Sequence, residues 1–500
     1  MSAPPVRKVV IAGGGTAGWM AAALLSRLAA NLDIRLIESD EIGTIGVGEA
    51  TIPAIKTYNR LAGIDEDAFM KATNASFKLG IEFTGWGRAD SSYMHGFGKI
   101  GQDLGWLRTH QYWVKMRESG RVSDKLCDYS INTAAAYAGK FMRSRPDMPE
   151  SPLRDIAYAY HFDAGLYAKF LRGQAEGRGV VRTEGKVVST QLRANDGFIE
   201  ALTLDSGDVI AGDLFLDCSG MRGLLIEQAL NTGFEDWSHL LPCDRAVAVP
   251  CESTADFLPY TRSIARTAGW QWRIPLQHRI GNGHVFCSRF ISEDEATHQL
   301  MSNLDGAALA EPRVIRFQTG RRRKGWNKNV VAIGLSSGFL EPLESTSIHL
   351  IQSNLLRLIS LFPDTAFDTR TIDEFNAQSE FEYARIRDFI IAHYCLNARD
   401  EPMWRACRDI VLPENLKRKL DNFTSVGRIF KDGDELFGEE SWIQVLVGQG
   451  LIPQSYDPFV DLQPEERIVK YLNDITGVIA KCLTVMPLHG DYISKNVKAA

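Results

Sequence analysis

Val9-Val10-Ile11-Ala12-Gly13-Gly14-Gly15-Thr16-Ala17-Gly18 decides the fold. Val6 to Ala12 reads as a buried strand, since Val9 to Ala12 run without polar interruption, as a parallel strand does. Gly13 to Gly18 satisfy G-x-G-x-x-G. Trp19 to Ala30, rich in Ala, Leu and Met, is a helix candidate. A second strand, Asp33 to Ile37, leads into Glu38, twenty residues past Gly18. Gly13 permits a tight turn, Gly15 lets backbone approach a pyrophosphate, and Gly18 lets helix pack on strand. The helix N-terminus offers free N–H groups and positive dipole to phosphates. Glu38 is placed to accept from a ribose hydroxyl. Strand, turn, helix and acid at these spacings predict a Rossmann-like α/β nucleotide-binding unit.

The motif alone does not choose between NAD and FAD. Its place at the start of a long chain favours FAD. Two later stretches, Asp213 to Gly220 and Asn329 to Gly334, are strand-then-glycine patterns that fit the same sheet. Gly185-Lys186-Val187-Val188 reads as a further strand, on the adenine side in such flavoproteins.

The 500 residues are 45% hydrophobic and 24% charged, which suits a globular chain with a sizeable core and excludes disorder, collagen and small disulfide scaffolds. A net charge of −6 argues against a nucleic-acid binder. The basic run Arg321-Arg322-Arg323-Lys324 reads as a solvated strand end or turn. Eight scattered cysteines form no C-x-x-C pair and no zinc spacing, so no metal is expected and the thiols read as reduced. The N-terminal apolar run is too short for a signal-peptide core, and no stretch is long enough to span a bilayer. The expectation is a soluble, cytoplasmic protein.

Four further segments narrow the field: Gly46-Val47-Gly48-Glu49-Ala50-Thr51-Ile52-Pro53, Phe77-Lys78-Leu79-Gly80, Gly269-Trp270-Gln271-Trp272-Arg273-Ile274-Pro275 and Phe339-Leu340-Glu341-Pro342-Leu343-Glu344-Ser345-Thr346. In this order they resemble the flavin-dependent tryptophan halogenase family, whose W-x-W-x-I-P signature Trp270 to Pro275 matches at every fixed position. The resemblance spans most of the chain and weakens after about residue 365. It implies an FAD-binding and halogenation module of the flavin-monooxygenase type over 1–360, its nucleotide-binding parts interrupted by a substrate-side sheet. A mainly helical substrate cap over 361–500 follows. There Phe375, Phe381, Tyr383, Ile386 and Ile390 are apolar, the last three at three- and four-residue steps, before a His393-Tyr394 corner.

The resemblance also assigns residues. FAD contacts fall at Gly13, Gly14, Gly15, Thr16, Ala17, Gly18, Glu38, Ser39, Val47, Ala50, Val187, Leu335 and Ile348. Lys78, set among Phe77, Leu79, Ile81, Phe83 and Trp86, is the amine that meets hypohalous acid and presents electrophilic halogen. Glu344 stabilises the cationic ring intermediate and takes its proton. Glu341 has no matching catalytic role and reads as structural. Ser345-Thr346-Ser347 opens a helix with Ile348, Ile351, Leu355, Leu358 and Phe362 on one face, and Ser or Thr there is also an N-cap signal. Halide binds at Thr346 and Ser347 through backbone amides, a helix N-terminus being a natural anion site. Ser347 stands where tryptophan halogenases commonly carry Gly, which leaves bromide open beside chloride. Trp270, Trp272 and Pro275 form a wall between substrate and flavin, and His95 and Phe97 sandwich the substrate ring. The stretch Glu439 to Pro453 does not match a grip for the amino acid group of tryptophan, which points to another indole-like or phenolic ring. No second nucleotide motif is visible, so reduced FAD comes from a separate NAD(P)H-dependent flavin reductase. A homodimer is a family-level expectation. A single-component aromatic hydroxylase and a non-catalytic flavin-binding sensor are the alternatives, against which Lys78, Glu344 and the W-x-W-x-I-P segment count.

Overall fold

The computed structural model describes residues 3–41, 48–148, 150–254 and 257–499. Strand Lys8–Ala12 is buried apart from its first residue and lies near the middle of a six-stranded sheet. Across that sheet the order is Trp326–Asn327, Val330–Ala332, Leu214–Asp217, Lys8–Ala12, Asp33–Glu38, Val181–Glu184. All pairs are parallel except the first. Both strand-then-glycine stretches therefore return to the first strand's sheet. The Gly185 segment departs from its reading as one strand. Val181–Glu184 closes the parallel sheet, the chain turns at Gly185 (φ +153°), and Val187–Leu192 joins a separate antiparallel sheet with Ile199–Leu204 and Val209–Ala211.

Helix Thr16–Leu28 follows the glycine turn. Gly13 has φ +116°, and a Cβ there would meet the Cys218 carbonyl oxygen at 2.3 Å. A Cβ at Gly18 would meet the Gly13 carbonyl oxygen at 1.9 Å. Turn and helix thus lie on the sheet closer than any side chain permits.

A seven-stranded sheet carries the other half of the molecule. Its order is Arg313–Arg316, Arg245–Cys251, Ile280–Phe286, Gly269–Pro275, Thr261–Arg266, Gly80–Thr84, Ser92–Gly96. A small antiparallel sheet, Gly48–Ala50, Ala159–Asp163 and Ser76–Lys78, bridges the halves. The chain thus folds as α/β, with a parallel nucleotide-type sheet and a second large sheet.

Beyond residue 362 the regular elements are helical. Helix Thr369–Cys395 spans 27 residues, so His393 and Tyr394 lie within its last turn rather than at a corner. At its start Asn376 bonds both the N–H and the carbonyl of Trp326, on the edge of the parallel sheet. Its end reaches the large sheet, where Trp86 packs on Tyr394. The last helix, His489–Asn496, reaches back under the small sheet, where His489 Nε2 accepts from the Phe77 N–H at 3.2 Å.

Half of the basic run is not solvated: Arg323 and Lys324 are exposed, but the first two residues are not. Arg321 and Arg322 are buried. Arg321 pairs with Glu235 and Glu380, Arg322 with Glu227. Hydrogen bonding by these acids and by nearby carbonyls makes burial of the two guanidinium groups tolerable. Among the described residues no helix is long and apolar enough to cross a membrane.

Gly18→Ala will cost about 1–3 kcal/mol of stability through overpacking against the Gly13 carbonyl. Gly15→Ala, whose Cβ would meet nothing within 4 Å, will leave the chemical denaturation midpoint of the apoprotein unchanged. Equal midpoints for both variants would contradict this packing.

Candidate active site

Strand Ser76–Lys78 alternates its side chains across the small sheet. Phe77 stacks on Phe141, with ring centroids 4.0 Å apart, and anchors one face. Lys78 is fully buried, and its Nζ donates to Ser345 Oγ at 2.7 Å. Burial pulls the amine down from the ordinary lysine range to about 7, against the opposing pull of Glu344. The ring of Phe97 lies 5.4 Å from Nζ.

The short helix Pro342–Glu344 ends at Ser345, whose φ is +58°. A non-glycine residue in that region costs roughly 1 kcal/mol or more. The turn places the Glu344 carboxylate and the Ser345 hydroxyl on successive residues, the second bonded to Lys78.

Glu344 is buried between two imidazoles. His95 Nδ1, on strand Ser92–Gly96, lies 2.9 and 3.0 Å from its two oxygens. His393 Nε2 lies 2.8 Å from Oε1, off the line of an ideal hydrogen bond. Burial alone would raise the carboxyl, but His95 and His393 outweigh it and hold it at about 2. His95 is therefore a partner of Glu344, with its ring near Phe389 and Phe437. Gln444 bonds both the N–H and the carbonyl of Gly96 and fixes this strand end against helix Glu439–Gly448.

Trp270 is buried, and its Nε1 donates to Glu341 Oε2 at 2.9 Å. Tyr394 OH donates to the same oxygen at 2.7 Å. Burial raises the Glu341 carboxyl to about 7. Trp272 covers Gly283, where a Cβ would meet its ring at 2.0 Å. The Pro275 carbonyl accepts from Ser76 Oγ at 2.5 Å, which ties this strand to that of Lys78. Ile274, on the same strand, packs on Gly48.

Thr346 is buried, and its Oγ1 has no partner among the described residues. It makes no capping bond, contrary to the N-cap reading. The first-turn N–H groups of helix Ser347–Ser360 have no intrahelical acceptor, and this side chain does not supply one.

On the nucleotide side, Gly15 faces open space, while a Cβ at Gly14 would strike the Glu38 side chain. The Glu38 carboxylate already accepts from Arg182 Nε at 2.5 Å and Trp19 Nε1 at 3.3 Å. Ser39 Oγ accepts from the Glu41 N–H. Val187 begins its strand just past the Gly185 bend, where the Gly185 N–H bonds the Glu38 carbonyl. Ala17 lies against Gly334, which brings the Leu335 turn beside Thr16 and the helix start. Ala50 and Ile348 are buried, and Val47 lies outside the described residues. Open space above Gly15 at a helix N-terminus, with an acid at the end of the second strand, fits a dinucleotide such as FAD.

The structure thus brings Lys78, Phe97, His95, Glu344, Thr346 and Ser347 to one region, with Trp270 tied to it through Glu341. Sequence reading passed over Ser345 as a Lys78 partner, His393 as a Glu344 partner and Glu341 as the anchor of Trp270. Nothing local marks His393, 49 residues from Glu344. Ser345 is visible only as a hydroxyl next to the acid.

A family model described as tryptophan halogenase matches residues 8–465. The chain belongs to the tryptophan halogenase family. It is 35% identical to the tryptophan 6-halogenase of Streptomyces albogriseolus, with 92% of each chain covered. The solved flavin-dependent halogenase of Xanthomonas campestris shares 47% identity and a TM-score of 0.96 over 99% of both chains. BrvH, a flavin-dependent halogenase from Brevundimonas sp. BAL3, shares 46% identity and a TM-score of 0.94 over 98% of this chain and 99% of that one. The chain is an FADH2-dependent halogenase, with halide as co-reagent.

Gly15→Val will abolish FAD binding while leaving the apoprotein folded, because its side chain enters the open cradle rather than the core. Flavin titration with circular dichroism on the same sample checks both halves, and stoichiometric FAD retention contradicts the placement.

Proposed function

We propose that the chain halogenates an electron-rich, indole-like aromatic other than free tryptophan, using FADH2 from a separate flavin reductase. The observation that carries this reading is the pairing of a buried amine near neutrality with a buried carboxylate held ionised, on adjoining segments. When bound, reduced FAD with O2 oxidises halide to hypohalous acid. Residues Gly13 to Gly18, Glu38, Ser39, Val187, Leu335 and Ile348 would hold the cofactor. Lys78 receives the oxidised halogen. With its pKa near 7, about half the amine is neutral at pH 7, whereas an ordinary lysine is neutral at roughly one part in a thousand or less. The neutral amine attacks halogen and water leaves, or it orients the acid by hydrogen bonding. Glu344 faces the cationic ring that follows, stabilises it and takes the proton released as aromaticity returns. Phe97 and His95 flank the ring. Trp270 and Trp272 keep the organic substrate from the flavin, which favours halogenation over direct hydroxylation, and Glu341 holds Trp270 in place.

A cavity of about 250 Å³ lies between residues 99–103 and helix Glu439–Gly448, lined by none of Lys78, His95, Phe97 and Glu344. Its two cations are Lys99 and Arg108. Arg108 is already held by Asp103, Glu439 and Glu440. Were a substrate carboxylate to reach this cavity, Glu439 and Glu440 would repel it, in keeping with a ring without the amino acid group of tryptophan. Mass spectrometry on a panel of indoles, phenols and free tryptophan tests this, and turnover confined to free tryptophan would overturn it.

Lys78→Ala will lower product halogenation at least a hundredfold, and hypohalous acid will instead reach a diffusible trap. In the wild type the rate will rise with pH through about 7, because the lowered pKa lets the neutral form grow there rather than above 10. A near wild-type rate in Lys78→Ala would remove the lysine from the mechanism.

Halide preference follows from Ser347. A halide at this helix N-terminus sheds water and accepts N–H bonds. Bromide is less strongly hydrated than chloride and easier to oxidise, so both effects favour it at a site not tailored to chloride. Brominated product will exceed chlorinated product at equal halide, and Ser347→Gly will shift the ratio toward chloride. Chloride-dominated yields with no shift in the variant would leave Ser347 without influence.

A further inference from the structure

The two nitrogens of His393 are committed in opposite directions. Nδ1 lies 2.9 Å from the Phe389 carbonyl oxygen. A carbonyl only accepts, so Nδ1 carries a proton and donates it. Nε2 lies 2.8 Å from Glu344 Oε1. With Nδ1 protonated, neutral His393 would hold an unprotonated, electron-rich Nε2 2.8 Å from a carboxylate oxygen, its in-plane direction pointing to one side of that oxygen. That contact is repulsive at 2.8 Å unless a proton resides in the pair. Either the carboxyl is protonated or the imidazole is doubly protonated. The other ionisable groups around the pair are His95, which meets both Glu344 oxygens, Lys78, which opposes the carboxylate's charge, and Tyr93. Around the His393 ring lie Phe83, Trp86 and Phe389, which bring no charge. The Gln449 amide donates to the His393 backbone carbonyl at 2.7 Å, fixing the last turn of the helix.

We infer that His393 is a positioning residue for deprotonation of the halogenated ring: as an imidazolium beside Oε1, it keeps Glu344 ionised and fixed while the ring proton leaves. The inference rests on the reading of Glu344 as proton acceptor. The step balances simply. The ring C–H bond breaks, its electron pair restores the aromatic π system, the proton goes to a Glu344 oxygen, and halide chemistry is already complete. Burial by itself would favour the neutral form of Glu344, which neither stabilises a cation nor takes a proton, and the two imidazoles oppose it. Against burial, His95 and His393 hold the Glu344 carboxyl below the ordinary carboxylate range.

The test joins two substitutions to one measurement without substitution. His393→Phe keeps a ring among Phe83, Trp86 and Phe389 and removes both nitrogens. His393→Gln restores a neutral N–H donor without charge. For His393→Phe, kcat for halogenation will fall at least tenfold with substrate KM changed less than threefold. The acid limb of the pH profile will move up by at least 2 units, and a primary isotope effect of 2 or more will appear with substrate deuterated at the halogenated carbon. His393→Gln will recover part of kcat but keep the shifted limb. Histidine 15N shifts in the wild type, assigned by loss of the signal in His393→Gln, will show both nitrogens protonated at pH 7. An unshifted acid limb without an isotope effect, or a neutral His393 in the 15N spectrum, overturns the inference. Should one variant fail to fold, loss of the signal in the other supplies the assignment and the wild-type 15N spectrum decides. Glu344→Gln separates the two readings: if it retains wild-type turnover, the acceptor role of Glu344 fails. If it is inactive while His393→Phe behaves as wild type, only the role of His393 fails.

Discussion

Withdrawing one amine and one carboxylate from water, close together, is the constraint on which the site depends. Each ion loses hydration worth several kcal/mol even after the protein relaxes. A simple ion pair would leave Lys78 charged and unable to act as the nucleophile proposed for it. Instead each group has its own partner. Lys78 meets the neutral hydroxyl of Ser345, and desolvation draws it toward the neutral amine. Glu344 is held between His95 and His393, which outweigh desolvation and keep it ionised. Neighbouring groups driven toward the forms that opposite tasks require are a pattern of acid–base sites.

The rest of the fold serves to hold these partners still. Lys78 comes from the small bridging sheet, His95 from the edge of the large sheet, and His393 from the end of a 27-residue helix anchored at the other end on the parallel sheet. His489 and Phe141 brace the far side of the lysine strand through Phe77. The segment beyond residue 362 therefore contributes on two sides: it supplies His393 from above and His489 from below.

The parts legible in the sequence were those written in local spacing. The strand, glycine turn and helix at residues 6–30 need only neighbours to be recognised, and the two later strand-then-glycine stretches carry the same mark. The roles of Lys78 and Glu344 are carried by the family resemblance rather than by their neighbours, since a lysine among apolar residues and two acids near a proline have structural readings too. Long-range partners were illegible. The spacing from His95 to Glu344, 249 residues, encodes nothing, and the positive φ of Ser345 has no glycine to announce it. Reading Arg321 and Arg322 as solvated failed for the same reason. Burial of a guanidinium depends on acids at Glu227, Glu235 and Glu380, remote in the chain. The His393-Tyr394 corner failed because a helix stop was read where no Gly or Pro stands; the helix runs on to Cys395.

One short segment concentrates the chemistry. Glu341 anchors Trp270, Glu344 faces both imidazoles, Ser345 receives Lys78, and Thr346 and Ser347 begin the helix proposed to hold halide. Seven consecutive residues therefore hold the anchor of Trp270, the buried carboxylate, the hydroxyl that meets the Lys78 amine and the start of the helix proposed to hold halide. A tight turn is needed to present them, and the left-handed residue at 345 provides it, since a right-handed residue there would carry the Pro342–Glu344 helix onward. The strain of roughly a kcal/mol at Ser345 is small beside the cost of a misplaced buried charge. Glycine would relieve it, but would delete the hydroxyl that Lys78 meets. A serine held in a glycine conformation is what remains when one position must both turn the chain and accept a hydrogen bond.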